Sequence, residues 1–151
     1  MEKIDTIDKT IIKKLLTNAR IAYSQLAKEI GVSNTLVHKK VNRLRQLGIL
    51  KSPTFILDAQ KLGFLTEAYT TIKLDEPKHV KTVIKELEKI PEVISCSNIT
   101  GEYTLIIRIF ARDNDKLREV LYNKIHLISG VVSTDTVISF ETSFEKQVPI
   151  E

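Results

Sequence analysis

Only Gly31 and Val32 stand between Ile30, the last apolar residue of one helical pattern, and Ser33, a residue suited to cap the next. Two helices joined by so short a glycine-containing link must pack directly on one another as a helix-turn-helix. The pattern before the link, SQLAKEIGV, turns Leu26, Ala27 and Ile30 to one side. Ser24 is its expected cap, and Gly31 supplies the left-handed residue that ends it. After Ser33, Val37, Val41 and Leu44 recur at i, i+4 and i+7, and the helix is expected to run through Leu47 to Gly48. Ahead of both, Ile4, Ile7, Ile11 and Leu15, with Ile12, Leu16 and Ala19 one step round, form another amphipathic stripe. Asp5 is its N-cap, and Asp8 lies in the first turn, where the helix dipole favours an acid. Residues 1–50 therefore read as a domain of three short helices.

Charge singles out the third helix. The 151 residues carry a net +4, unevenly spread. Residues 1–60 hold eleven Lys and Arg against five Asp and Glu, and residues 61–151 hold twelve against fourteen. The third helix has Lys39, Lys40, Arg43 and Arg45 and no acid, and all four are expected to contact DNA phosphates. Asn34, Thr35, His38, Lys39 and Asn42 lie away from its apolar stripe, with Asn34, Thr35 and His38 near the end that faces base edges in this motif. Asn can read adenine, Lys can read guanine or neutralise phosphate, and amides at the helix start favour an anion. The pattern points to double-stranded DNA as a partner.

The next stretch, ILKSPTFILDAQKLG, is strand-like at Ile49, Leu50 and Phe55–Leu57 but is interrupted by Ser52-Pro53. It reads as a wing-like linker over residues 51–63. From residue 64 to 151 strands and helices alternate: a strand over 64–74, a helix over 75–90 with Pro77 at its start, and a strand over 93–100. A turn at Gly101-Glu102 leads to a strand over 103–111. A helix capped by Asp113 or Asn114 and closed by Gly130 follows, then a strand over 131–140. The order is βαββαβ, a ferredoxin-like split arrangement. The expected fold is thus α+β, a winged-type helix-turn-helix domain followed by this sheet domain. In the strand YTLIIRIF, Leu105, Ile107 and Ile109 face the helices. Ile106, Arg108 and Phe110 face outward, where apolar residues call for a covering partner such as a second copy of the chain.

Several function classes have no support. His38, His79 and His126 fall in three different helical segments with no metal-ligand spacing, so no metal site is expected. Cys96 is the single cysteine, which excludes an internal disulfide, and nothing around it resembles a nucleophile motif. No nucleotide-binding loop is present, so neither an enzyme nor a bound cofactor is expected. No apolar run approaches the roughly 18 residues of a membrane span. The polar start, MEKIDTIDKT, has no signal-peptide core, and the expectation is a cytoplasmic protein. The rival reading is a small-molecule sensor or assembly protein without sequence-specific DNA binding. Such a protein would show an exposed apolar stripe where this chain has Lys39, Lys40 and Arg43.

The stretches IDTIDKTIIKKLLTNARIAYSQLAKEIGVSNTLVHKKVNRLRQLGIL, LDAQKLG, ITGEYTLIIRIFARD and GVVSTDTVISF, in this order, resemble the leucine-responsive/AsnC family of transcription regulators. The likeness runs from residue 4 to about residue 145. The resemblance implies dimers that associate further, commonly into octamers, and a small effector such as an amino acid held between dimers. It implies DNA contacts at Ser33, Asn34, Thr35, His38, Lys39, Asn42 and Arg43. It places Thr100-Gly101-Glu102-Tyr103-Thr104 on the family's TG-x-x-D turn, and Thr134 and Thr136 on its T-x-T. Gly101, Glu102, Tyr103, Thr104, Thr134 and Thr136 are the effector residues so implied. Thr104 stands where the family usually has aspartate, so the acid that helps receive a polar or cationic ligand group is missing here.

Overall fold

Asp5 starts the first helix by a reciprocal capping box. Its carboxylate accepts the Asp8 backbone N–H at 2.8 Å, and the Asp8 carboxylate accepts the Asp5 N–H at 3.0 Å. A cap of this kind contributes about 0.5–2 kcal/mol. Helix α1 spans Thr6–Thr17 and buries Ile11 and Ile12. The computed structural model describes residues 4–150. Leu16 and Ala19, expected on the apolar stripe, are exposed instead. They lie past the part of α1 that its neighbours cover and line an open groove of about 440 Å³ with Leu15, Tyr23 and Ile49.

Helix α2, Tyr23–Ile30, begins earlier than expected. Ala22 holds the N-cap position with no side-chain hydrogen bond, and Ser24 falls inside the first turn rather than capping it. Gly31 adopts φ 71°, and its N–H reaches back to the last carbonyls of the helix. Ser33 caps α3, Asn34–Gln46, by accepting the Leu36 N–H at 3.2 Å. Val37, Val41 and Leu44 are buried against Ile11, Ile12, Leu26 and Ala27 in one apolar cluster. Leu50 and Ile150 pack against the same cluster.

Residues 51–58 form no regular structure, so the expected strand at Phe55–Leu57 is absent from this part of the described chain. A strand needs a neighbour for its N–H and C=O groups, and here Phe55, Ile56 and Leu57 are 75%, 96% and 72% exposed. Two units result. One comprises the chain up to Ile56 together with the segment from Lys146 onward, and the other is Leu57–Glu145. The end of the chain, expected to belong with the sheet, groups with the helices.

The second unit is a four-stranded antiparallel sheet of β1 (Thr66–Leu74), β2 (Val93–Asn98), β3 (Leu105–Ala111) and β4 (Val131–Ser139), in the order β2-β3-β1-β4. A 3₁₀ turn at Pro77–His79 leads into α4 (Val80–Glu88), and α5 (Asn114–Val120) continues into a π-helical turn at Leu121–Ile125. With its crossing helices the element order is βαββαβ. Ala68, Ile72, Leu105, Ile107 and Ile109 bury one sheet face against Val83, Leu87, Leu117, Val120 and Ile125. The π turn departs from the regular helix expected there. Within it Lys124 donates to Glu92 at 2.9 Å, and Ile125 is buried in the core. The β2–β3 connection is also longer than a two-residue turn, because Ile99 N–H donates to the Thr104 carbonyl at 3.0 Å and residues 100–103 form the loop. Among the described residues no helix is long and apolar enough to cross a membrane.

Candidate nucleic-acid interface and effector region

The open face of α3 is polar. Ser33, Asn34, Thr35, His38, Lys39, Asn42 and Arg45 are exposed, while Val37, Val41 and Leu44 hold the opposite face in the core. Tyr23 of α2 supports one flank. Its ring meets the His38 imidazole edge-on with centroids 4.8 Å apart, and the Arg45 guanidinium donates to its hydroxyl at 3.1 Å. The candidate base-facing residues are thus gathered on one surface. Tyr23 was not legible as part of it, since its sequence neighbours say nothing about which face of α3 it meets.

The cations of α3 divide into two kinds. Lys40 and Arg43 turn toward α1. The Lys40 ammonium donates to Asp5 Oδ2 and, at 3.1 Å, to Asp8 Oδ1. Arg43 donates to Asp8 Oδ2 at 3.1 Å. The Asp8 side chain is fully buried and that of Lys40 is 13% exposed. Lys40, grouped with the DNA contacts on the sequence pattern, therefore has its charge engaged within the protein, and Arg43 is engaged there in part. Burial pulls the Lys40 pKa down, but its hydrogen bonds to Asp5 and Asp8 outweigh this and leave it raised. The hydrogen bond from Lys40 is the largest cause holding the Asp5 carboxyl down at about 2. Taking away one partner of a buried pair such as Asp8–Lys40 generally costs about 3–5 kcal/mol, since the other charge stays buried. The first-turn position of Asp8 explained its presence too simply. Its wider role depends on pairing with residues 32 and 35 positions away.

In the sheet unit, the register sets Leu105, Ile72 and Thr134 side by side across β3, β1 and β4. The Thr104 N–H donates to the Ile72 carbonyl at 2.9 Å, and Glu102 accepts from Lys73 at 3.1 Å. The 101–104 loop and Thr134 thus lie at the same end of the sheet. Thr134 and Thr136 point to the helix-covered side. The Thr136 hydroxyl is 2.9 Å from that of buried Thr70, and the Thr134 hydroxyl is 2.7 Å from His126 Nε2. Gly101 has φ 111°, a conformation that favours glycine.

The opposite sheet face carries Ile106, Arg108 and Phe110, all half-buried. Arg108 donates to Glu67 at 2.6 Å and lies over the rings of Tyr69 and Phe110. Thr142 donates to Glu67 at 3.2 Å, and Glu145 approaches Arg108 at 3.8 Å. The segment after β4 therefore covers part of this face. Cys96 is half-buried on the edge strand β2.

Known proteins agree with this two-unit reading. Residues 4–51 match the family described as winged helix-turn-helix DNA-binding, and residues 67–149 match the Lrp/AsnC ligand binding domain. The chain is 34% identical to regulatory protein AsnC of Haemophilus influenzae over 148 residues, covering 98% of this chain and 99% of that protein. It is 30% identical to an HTH-type transcriptional regulator of Pyrococcus horikoshii, covering 98% and 97%. The solved structure of E. coli AsnC superposes with a TM-score of 0.92 at 32% identity, covering 97% of this chain and 99% of that one.

Proposed function

The chain belongs to the Lrp/AsnC family of transcription regulators, and on that premise we propose that it reads double-stranded DNA through α3 as a homodimer. The observation that carries this reading is the acid-free open face of α3, on which Asn34, Thr35, His38, Lys39 and Asn42 are exposed together. Side chains of these types can meet base edges and phosphates in a major groove. The exposed apolar run Phe55–Leu57 and the outward Ile106 and Phe110 support self-association, since such surface is costly to leave in water. Two α3 helices would then enter successive major grooves about 34–36 Å apart. The family implies further assembly, commonly to octamers. The protein acts as a regulator in the cytoplasm, not as a catalyst.

Selection of bound fragments from a random DNA pool tests the reading. We expect pseudo-palindromic sites whose half-sites are spaced by about one helical turn, 10–10.5 base pairs. No enrichment over the input pool would overturn it. On the selected site, Asn42→Ala should weaken binding by about 1–3 kcal/mol and relax the preference at a single base position. An equal loss on every sequence would instead assign Asn42 to the backbone.

We also propose that the 101–104 loop with Thr134 and Thr136 takes a small effector, completed by a second dimer. The shared end of the sheet and the ligand-binding description of residues 67–149 support this. With Thr104 in place of an acid and Glu102 paired with Lys73, the remaining amides and hydroxyls of the loop suit a carboxylate better than a cation. Thermal-shift screening of amino acids, with mass measured in parallel, is expected to find one that stabilises the protein and alters its assembly. At a hundredfold excess over Kd the stabilisation is about 2.7 kcal/mol. A panel that moves neither quantity would count against amino-acid sensing.

A further inference from the structure

The cations of α3 look alike in the sequence and differ in the fold. Lys39 is exposed on the open face. Lys40, its neighbour, is turned onto Asp5 and Asp8, with most of its side chain out of solvent. The Asp8 carboxylate has no oxygen to spare. Oδ1 accepts from Lys40, and Oδ2 accepts from Arg43 and from the Asp5 backbone. Among the described residues no buried side-chain nitrogen or oxygen lacks a partner. A phosphate would have to draw Lys40 away from two carboxylates to gain its charge.

We propose that Asp8, with Asp5, is an internal counter-anion that withholds Lys40 from the DNA backbone and so limits the sequence-independent charge that α3 presents. Asp8 thus sets the strength and salt dependence of binding without touching DNA. This rests on the reading of α3 as the DNA-reading helix. Non-specific affinity comes almost wholly from phosphate neutralisation, and each phosphate contact adds about 0.9 to the slope of log K against log salt. Withholding one cation lowers affinity for every sequence by about the same factor without removing a base contact. Binding is then weaker and less steeply salt-dependent on operator and bulk DNA alike.

The test is a salt titration of binding, by the full-length protein, to its selected site and to a scrambled duplex. The variants are Lys39→Gln, Lys40→Gln and Asp8→Asn, with far-ultraviolet circular dichroism to monitor folding. Lys39→Gln is expected to flatten the slope by about one ion, whereas Lys40→Gln leaves it unchanged. Asp8→Asn, which leaves Lys40 only the exposed Asp5 and loosens Arg43, is expected to steepen it by about one ion on both duplexes and to strengthen binding to both at low salt. A merely structural Asp8 would weaken both duplexes alike at constant slope, and that result would overturn the proposal. So would a Lys40→Gln slope as flat as that of Lys39→Gln. If Asp8→Asn or Lys40→Gln fails to fold, Asp5→Asn, which takes the exposed carboxylate from Lys40 and keeps a capping oxygen, is expected to steepen the slope, and an unchanged slope would overturn the proposal. Absence of any salt-dependent binding by the unaltered protein would instead overturn the DNA reading of α3, and the proposal with it.

Discussion

A Leu44→Ala variant is expected to lose DNA binding while its sheet unit stays folded. Leu44 is fully buried where α3 meets α1 and α2, in a cluster with Ile11, Ile12, Leu26, Ala27, Val37 and Val41. Truncating a leucine at such a site costs about 2–5 kcal/mol, part from lost transfer energy and part from the cavity left behind. A unit of this size has little to lose. At about 0.05–0.15 kcal/mol per residue, sixty residues are stabilised by roughly 3–9 kcal/mol. The recognition face cannot survive without the core, because Val37, Val41 and Leu44 set the rotation of α3 that turns Asn34, Thr35, His38 and Asn42 outward. Hydrogen exchange resolved by segment checks this. Amides of α1 to α3 should lose protection while those of β1 and β3 keep theirs. Uniform loss across both units would show that they unfold as one.

The second large effect is expected from Gly130→Ala, and it falls on the sheet unit. Gly130 has φ 97°, which costs a residue with a side chain about 1–3 kcal/mol. Space is also lacking. A Cβ on Gly130 would lie 2.8 Å from His79 Cβ and 3.0 Å from its Cγ. The neighbour has little freedom to yield, since His79 Nδ1 is 2.6 Å from Asp75, and the Asp75 N–H donates to the Gly130 carbonyl at 3.0 Å. This small closed circuit joins the end of β1 to the start of β4. We expect a clear fall in the denaturant midpoint of the sheet unit, with altered assembly, and unchanged protection of α1 to α3. A midpoint equal to that of the unaltered protein would show that the turn rearranges freely.

These two sites mark what the sequence discloses and what it hides. The Val37/Val41/Leu44 stripe was legible because burial imposes a period on neighbouring residues. Gly31 and Ser33 were legible because their backbone and capping roles are local. The alternation of β3 announced its two faces for the same reason. Ser24 misled because a good capping residue does not determine where a helix begins. Tertiary packing started α2 at Tyr23, with Ala22 before it. Phe55–Leu57 has the residue types of a strand, but strand formation depends on a neighbour and not on composition. The π turn was hidden because an apolar stripe does not disclose where a helix passes from i+4 to i+5 hydrogen bonding. The candidate DNA face was legible residue by residue, yet the engagement of Lys40 was not. Neither Lys40 nor Asp8 signals the other across the chain.

The first unit has a consequence for the order of events during synthesis. It is assembled from the start of the chain and from the segment beginning at Lys146, with the whole sheet unit encoded in between. Ile150 packs against the cluster that holds α1 to α3 together. On the ribosome the three helices emerge before the sheet unit and can collapse early, but their contact with Ile150 is made only once that residue has cleared the exit tunnel. The unit that emerges ahead of the sheet is therefore completed after it, and a change to the segment from Lys146 onward would bear on the helical unit rather than on the sheet.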